Sequence, residues 1–405
     1  MRPYAGLDIG TTKVAVVIAV PEENGELKIV GVGYAPNQGL RRGVVVNLEE
    51  TVRSIRAAVA EAERMAGTPV KNVVAGIAGE HVRSVNSRGV IAVSRAGSEI
   101  GTDDVARVVE AARAVAIPGD RQVLHVIPQE FVVDDQAGIQ NPVGMSGVRL
   151  EAEVHIVTGA VTSARNLEKA IRGADLRPEK LVLEPLAASH SVLTPDEKGL
   201  GCLLIDLGGG TTDVALYYDG AIRHTAVIGL GGSNVTQDLA IGLHTPLEAA
   251  EDLKIRHGSA IADRASAGDL VEVAGVGGRD PKPVDRHVLA TMIEARMEEI
   301  FTMVYREARK NLFADLMAGG VVLTGGGALL DGAPDLVERI FELPVRVGRP
   351  RGIRGAPESV EDPRYATAVG LVLHAHEHGD AGAADEPRLL NRISAPVRRW
   401  IGEFF

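Results

Sequence analysis

Two short segments set an aspartate, a glycine turn and a threonine pair at matching positions. The first is Leu7-Asp8-Ile9-Gly10-Thr11-Thr12-Lys13-Val14-Ala15. The second is Ile205-Asp206-Leu207-Gly208-Gly209-Gly210-Thr211-Thr212-Asp213-Val214-Ala215. A chain of phosphates needs several donors that approach closely. Backbone N–H groups in glycine-rich turns supply them, and threonine hydroxyls add more. Gly10, Thr11 and Thr12 suit a grip on β- and γ-phosphates from one side, and Gly208, Gly209, Gly210, Thr211 and Thr212 from the other. Asp8 and Asp206 follow apolar runs, which puts both carboxylates at the floor of the cleft. Hard oxygens there suit Mg2+ held through retained waters. Lys13 either reaches a phosphate or faces solvent.

A third glycine turn, Gly325-Gly326-Gly327, ends the apolar run Val321–Thr324 and lets backbone lie flat against a planar or anionic group. After two phosphate-type turns, it reads as the wall for adenine and the α-phosphate. Gly231-Gly232-Ser233 offers another close-approach turn. On the helix after it, Glu251 and Lys254 either reach the ribose and base or form an i,i+3 surface pair. Glu184 is a candidate to orient an attacking water, and its other reading is a helix-start carboxylate serving backbone N–H groups. The implied ligand is ATP with magnesium, with Glu184 and Asp206 as the catalytic candidates.

These residues need a rigid frame. Each repeat reads as a β-hairpin, and copies half a chain apart imply an α/β fold of two related halves around a nucleotide cleft. Helical patterns alternate with strands. Residues 48–66 place Val52, Ile55, Val59 and Met65 near one stripe, and residues 103–116 and 163–173 look similar. Val70–Ala78 and Val154–Ala160 read as buried strands. Over 245–257 a helix is expected with Thr245 as N-cap, Pro246 at N1 and Glu248 closing a capping box. Residues 287–312 read as a long amphipathic helix. Small residues in Leu183–Ser189 and Asp362–Gly370 permit close helix packing between the halves. Residues 374–387 read as a flexible linker, whose His374, His376 and His378 either chelate metal or solvate a helix end.

Composition agrees with such a frame. Of 405 residues, 45% are hydrophobic but only 3% aromatic, so the core is built from Val, Ala, Leu and Ile. A net charge of −11 argues against general nucleic-acid binding, which needs a basic face. The single cysteine, Cys202, reads as a small buried hydrophobe and fits a reducing compartment. The N-terminus has no signal-peptide layout, and no apolar stretch reaches the ~18 residues of a spanning helix. A cytosolic protein is expected, with any membrane contact peripheral.

The last segment, 388–405, carries a separate signal. At 100° per residue, Leu389, Leu390, Ile393, Val397, Trp400, Ile401, Phe404 and Phe405 fall within an arc of roughly 160°. Arg388, Arg392, Arg398 and Arg399 fall outside it. A basic amphipathic segment on an acidic protein suits an anionic lipid surface, with Arg398 and Arg399 at the headgroups. Pro396 either kinks this helix or sits in the first turn of a shorter one capped by Ser394. The plainer alternative is a terminal helix docked on its own domain.

Hairpin, linker helix, hairpin, TGGG turn and final linker helix, in this order, resemble the actin, heat-shock chaperone and sugar-kinase superfamily. Within it, Gly76-Ile77-Ala78-Gly79-Glu80-His81-Val82, Ser84-Val85-Asn86-Ser87-Arg88-Gly89 and Gly231–Ala240 resemble the FtsA family of bacterial cell-division proteins. The likeness covers nearly the whole chain, though Ala78 stands where the family often has serine. It implies an actin-like ATPase fold with subdomain 1A at 1–84 and 163–194, and the family's own 1C at 85–162. Subdomain 2A would span 195–227 and 305–373, and 2B 228–304. It also implies a filament former that tethers the FtsZ ring to the cytoplasmic face of the membrane at the septum and recruits later division proteins. ATP would control the polymer, with slow hydrolysis. Ile293-Glu294-Ala295-Arg296 matches the place where a family arginine meets the FtsZ C-terminal tail, so Arg296 is the partner-binding candidate; a helix-surface salt bridge is its other reading. A metabolic kinase of the same fold would need a substrate pocket and a third carboxylate in the first half. A pilus-assembly ATPase-like protein would lack the terminal segment.

Overall fold

A computed structural model of the chain describes residues 3–93, 99–266, 268–311, 316–355 and 358–379. The first half begins with β1 (Tyr4–Ile9), β2 (Lys13–Pro21), β3 (Leu27–Pro36) and the small hairpin β4 (Leu40–Arg41) and β5 (Val44–Val45). α1 (Leu48–Ala66) and β6 (Asn72–Ile77) follow. An inserted unit then runs through β7 (Arg83–Ala92), α2 (Thr102–Arg113), β8 (Arg121–Val133), β9 (Gln136–Ile139) and β10 (Arg149–Ala160). α3 (Val161–Gly173) and β11 (Arg177–Leu183) complete the half, and α4 (Glu184–Val192) and α5 (Pro195–Leu200) lead out of it. The second half has β12 (Cys202–Leu207), β13 (Thr212–Tyr218), β14 (Ala221–Ile228), α6 (Gly232–Leu243) and α7 (Leu247–His257). It continues with β15 (Leu270–Val273), β16 (Lys282–Asp285), α8 (Arg286–Ala308), β17 (Val321–Thr324), α9 (Ala333–Phe341) and β18 (Val345–Val347). The described chain ends on α10 (Ala366–Gly379).

The two halves share one topology. The first sheet has the order β11-β6-β1-β2-β3, and the second, read in the same direction, β18-β17-β12-β13-β14. In each, the Asp-Gly-Thr hairpin is antiparallel while its first strand pairs in parallel with the strand behind it. The strand period of two explains the packing. Val14, Val16 and Ile18 face a core with Ile55, Ala58 and Val59 of α1. The intervening Ala15, Val17 and Ala19 face Ala368, Val369 and Val372 of α10. Both faces are covered, so the strands read as unbroken apolar runs. In the second half, Cys202, Leu204 and Ala215 face Ala188 and Val192 of α4.

The linker helices therefore lie between the two sheets, α4 against α10. Gly370 is required there, because a Cβ would stand 1.8 Å from the Ala187 carbonyl oxygen. The inserted unit forms its own sheet, β7-β10-β8-β9, with α2 packed on it. Cys202 is fully buried and burial pushes its thiol up to about 12, as an inert core cysteine requires.

Several local expectations need correction. α7 starts at Leu247 with Pro246 as its N-cap, and no side chain caps it. The Thr245 hydroxyl is instead buried with no partner among the described residues, while its backbone N–H donates to the Ala240 carbonyl at 3.1 Å. Met65 leaves the buried stripe of α1 and is 53% exposed, since small Thr51, Ser54, Ala58 and Ala62 let the sheet approach closely. α8 ends at Ala308 rather than 312. Residues 374–379 are the end of α10, not linker. His374 is buried there, stacked on His378 at 4.0 Å. Among the described residues, no three histidine, cysteine or acidic side chains converge closely enough to hold a metal ion. The rest of the expected linker and the whole of 388–405 lie outside the described residues. No helix among those described is long and apolar enough to cross a membrane.

Candidate functional site

The hairpin turns meet face to face. A Cβ on Gly209 would lie 2.5 Å from Thr12 Oγ1, and one on Gly210 2.5 Å from Thr11 Oγ1. Each turn is internally braced: Gly10 N–H donates to the Lys13 carbonyl at 2.8 Å, and Gly208 N–H to the Thr211 carbonyl at 2.9 Å. Asn37 pins the first turn from below, Nδ2 donating to the Gly10 carbonyl at 2.7 Å. The amides of Thr11, Thr12, Gly209 and Gly210 find no acceptor among the described residues. Those amides are the donors an anion between the turns would meet.

The threonines of the second turn have committed their protons. Thr211 donates to Asp213 Oδ2 at 3.0 Å, and Thr212, fully buried, to the Leu230 carbonyl at 2.8 Å. Thr212 thus braces the loop after β14. That loop carries Gly231 and Gly232. The N–H groups of Gly232 and Ser233 donate to the Gly208 and Gly209 carbonyls at 2.9 and 2.7 Å. Gly231 packs on the same turn, where a Cβ would lie 2.6 Å from the Gly208 oxygen.

Below the turns sits an excess of carboxylates. Asp8 and Asp206 belong to the last residues of β1 and β12, and both are buried. Lys13 is ion-paired with Asp8. Burial alone would lower the Lys13 pKa, but Asp8, Asp206 and Glu184 outweigh it and hold the ammonium charged. Burial, then Asp8, pushes Asp206 up to about 6, although Thr367 donates to its Oδ2 at 3.0 Å. Glu184 opens α4 and caps nothing. It lies over Gly76, where a Cβ would be 2.9 Å from its Cγ. Burial followed by Asp8, Asp213 and Asp206 drives its pKa well up.

Two participants escaped the sequence reading. Asp213 is 2% exposed, its Oδ1 has no partner among the described residues, and burial with Asp206 drives its pKa well up. Its place three residues beyond Gly210 was visible, but strand alternation alone does not tell which side of β13 meets the cleft. Arg364 lies 3.5 Å from where a Gly326 Cβ would be. Asp362 holds its guanidinium bidentately at 3.0 and 2.9 Å. The TGGG turn itself is fixed by packing: Gly325 has φ +82°, and a Cβ there would stand 2.3 Å from Asp206 Oδ1. A Cβ on Gly327 would meet the Leu207 side chain at 2.3 Å.

Glu251 and Lys254 do form the i,i+3 pair, at 2.6 Å, with the Glu251 side chain exposed and that of Lys254 largely covered. Lys254 Nζ also donates to Thr236 Oγ1 at 2.8 Å and to the Gly232 carbonyl at 3.1 Å, at the start of α6. Burial lowers the Lys254 pKa against the pull of Glu251. Arg296 stands apart from the cleft. It holds Asp238 of α6 bidentately at 2.6 and 3.0 Å and pairs with Glu299.

Over nearly its whole length the chain is similar to proteins described as Cell division protein FtsA. It is 45% identical to that of Pseudomonas aeruginosa, covering 99% of this chain and 97% of the relative. The chain belongs to the FtsA family. Identity to the Escherichia coli K12 relative is 39%, covering 98% and 95% of the two chains. For the Bacillus subtilis relative it is 41%, covering 92% and 83%. The family model Cell division protein FtsA matches residues 203–370, and that of the SHS2 domain inserted in FTSA matches 79–158, the stretch that holds β7 to β10. Among solved structures, a PilM-PilN type IV pilus biogenesis complex aligns with TM-score 0.67 at 18% identity, covering 92% of this chain and 98% of that one. MreB5 of Spiroplasma citri bound to ADP aligns with TM-score 0.54 at 15% identity, covering 91% and 95%. At these identities the likeness shows the fold, which is actin-like.

The raised carboxylates give this FtsA-family chain a signed pH response. Where the folded pKa exceeds the unfolded one, the folded state holds more protons, and stability rises as pH falls. Asp206 therefore contributes stability as pH falls through about 6 towards about 4. His125 and His155, held neutral by burial with pKa lowered to about 3, contribute the opposite sign below about pH 7, so the carboxylate's part is read as the difference between a variant and its parent. Asp206→Asn should stabilise the ligand-free protein at pH 8 by on the order of 2 kcal/mol relative to its parent, a gain that shrinks as pH falls through about 6. Calorimetry of variant and parent at pH 8 and pH 5 measures both, and a variant no more stable than its parent at pH 8 contradicts the assigned repulsion.

Proposed function

We propose that this FtsA-family chain binds ATP with magnesium between its two facing turns and uses nucleotide state to control a polymer of itself. The observation that supports this most directly is the pair of turns with unengaged amides above three buried carboxylates, the half-buried Glu184 and one lysine. A polyanion alone would be repelled from that floor, and a divalent cation removes the conflict. The orphaned Asp213 Oδ1 fits the same reading. Asp8 and Asp206 would hold the ion through waters, as magnesium's reluctance to shed its hydration shell favours. Magnesium would supply charge neutralisation of the phosphates. Lys13, held charged by Asp8, faces the phosphate end, and Gly325, Gly326, Gly327 and Lys254 border the nucleoside end. Glu184 is the candidate to orient an attacking water at the phosphate end, which suits slow hydrolysis.

Asp206→Ala and Thr212→Ala should each weaken ATP binding, the first by losing the ion's second sphere and the second by freeing the Leu230 loop. About tenfold in Kd is expected for either. Wild-type affinity in titration calorimetry would count against the second hairpin.

The chain is proposed to act on the cytoplasmic face of the membrane at the septum, where it tethers the FtsZ ring and recruits later division proteins. The tether is assigned to the amphipathic, arginine-bearing segment 388–405 on anionic lipid. Removing 388–405 should abolish co-sedimentation with anionic vesicles while leaving ATP binding unchanged. Equal co-sedimentation of truncated and full-length protein rejects the tether.

Arg296 is assigned to the FtsZ tail. An acidic peptide would have to share or displace Asp238 on its guanidinium, so Asp238→Asn should tighten tail-peptide binding and Arg296→Glu should weaken it at least about tenfold. Fluorescence anisotropy with the tail peptide reads both, and unaltered affinity in Arg296→Glu rules the residue out.

A further inference from the structure

Sheet order leaves β14 at the edge of the second-half sheet and β7 at the edge of the inserted sheet. The two edges run along each other. Glu80, just before β7, packs on Gly229, just after β14; a Cβ on Gly229 would lie 1.8 Å from Glu80 Oε1. Four residues on along one chain and four back along the other, Ser84 Oγ donates to the Thr225 carbonyl at 2.8 Å. Two further on and two further back, Asn86 Nδ2 donates to the Arg223 carbonyl at 3.2 Å. A constant offset of this kind is antiparallel alignment. Side chains, not a backbone ladder, make the bonds.

His155, on the neighbouring strand β10, completes the contact. Asn86 turns its Nδ2 to Arg223, so its Oδ1 faces His155 Nδ1 at 2.6 Å and can only accept. The proton is therefore on Nδ1, and Nε2 accepts from the Thr225 hydroxyl at 2.8 Å. Burial keeps this imidazole neutral, lowering its pKa to about 3. Gln129 of β8 adds a bond to the Ile222 carbonyl at 2.7 Å.

β14 is tied equally to the second turn. Val227 pairs with Asp213 and Ile228 with Thr212. Beyond the strand, Leu230 accepts the Thr212 hydroxyl. On the other side, the inserted unit grows out of the first turn's surroundings. A Cβ on Gly43 would lie 2.7 Å from Gly79 Cα, and Gly43 N–H donates to Thr11 Oγ1 at 3.3 Å.

We infer that the β7–β14 contact is a clasp between the halves, in which Ser84 and His155 through Thr225, and Asn86 through Arg223 and His155, act as positioning residues for the second glycine turn. The inference rests on the ATP reading for its ligand, but the clasp itself is a feature of the ligand-free chain. Because side chains close it, it can open without breaking either sheet.

Full-length Asn86→Ala and His155→Ala should release a fluorescent ATP analogue, loaded with Mg2+, about fivefold faster than wild type, the worth of one such bond. Val90→Thr, at an exposed position on the same strand, should not. In parallel, spin labels at Glu110→Cys of α2 and Glu338→Cys of α9 report the distance between the inserted unit and the second half in ATP-free protein. Buried Cys202 stays unlabelled. The distance distribution should broaden in both variants. An unchanged distribution overturns the clasp. Broadening with wild-type release overturns the positioning role. Broadening in a protein whose parent holds no ATP supports the clasp and sinks the ATP reading alone. Should His155→Ala not fold, Thr225→Val against Thr225→Ser asks the same question, with fast release expected only from Thr225→Val.

Discussion

Gly209 and Gly210 have no room for a side chain of their own against the first turn, and this closeness is the constraint on which the molecule is built. Thr11 and Thr12 fill the space that Cβ atoms on Gly210 and Gly209 would need. To hold two turns from different halves in contact, each must sit on a stiff hairpin, each hairpin on a sheet buried on both faces, and the sheets at a fixed separation. α4 and α10 set that separation. Their own spacing depends on Gly370 meeting the Ala187 carbonyl. Small residues thus recur wherever the halves approach, at the turns and between the linker helices alike.

Closeness of the turns also concentrates charge. The same strands that deliver the glycines deliver Asp8, Asp206 and Asp213, and α4 brings Glu184 beneath them. One lysine answers four carboxylates. A folded protein tolerates such repulsion where function needs it, and burial then raises the pKa values because each charged form is poorly solvated. The first turn answers this partly through Lys13, whose charge is held by Asp8. The remaining deficit of positive charge is what a divalent cation accompanying a nucleotide would bring.

The inserted unit changes how the halves are joined. Linker helices connect them at the back, through apolar contact. β7 and β14 connect them at the side, through directional hydrogen bonds that a polar cleft can spare. Edge strands invite pairing with other chains, and covering the edge of β14 with Ser84, Asn86 and Gln129 removes that hazard as well.

Local chemistry in the sequence was enough to expose the repeated hairpins, the TGGG turn, the linker helices and most helix positions, because glycine, threonine and apolar period are properties of short segments. It could not decide Thr245, whose capping competes with a backbone bond to Ala240 made only once α6 is in place. Nor could it show that residues 374–379 continue α10, since that helix is held by contacts with α4 far away in the chain. Asp213 and Arg364 entered the site only through the fold, which brings residues from separate strands and turns to one cleft. Chain order names the groups that can do chemistry; which of them share a cleft, and how far burial shifts their charge, is set by long-range packing that no short segment contains.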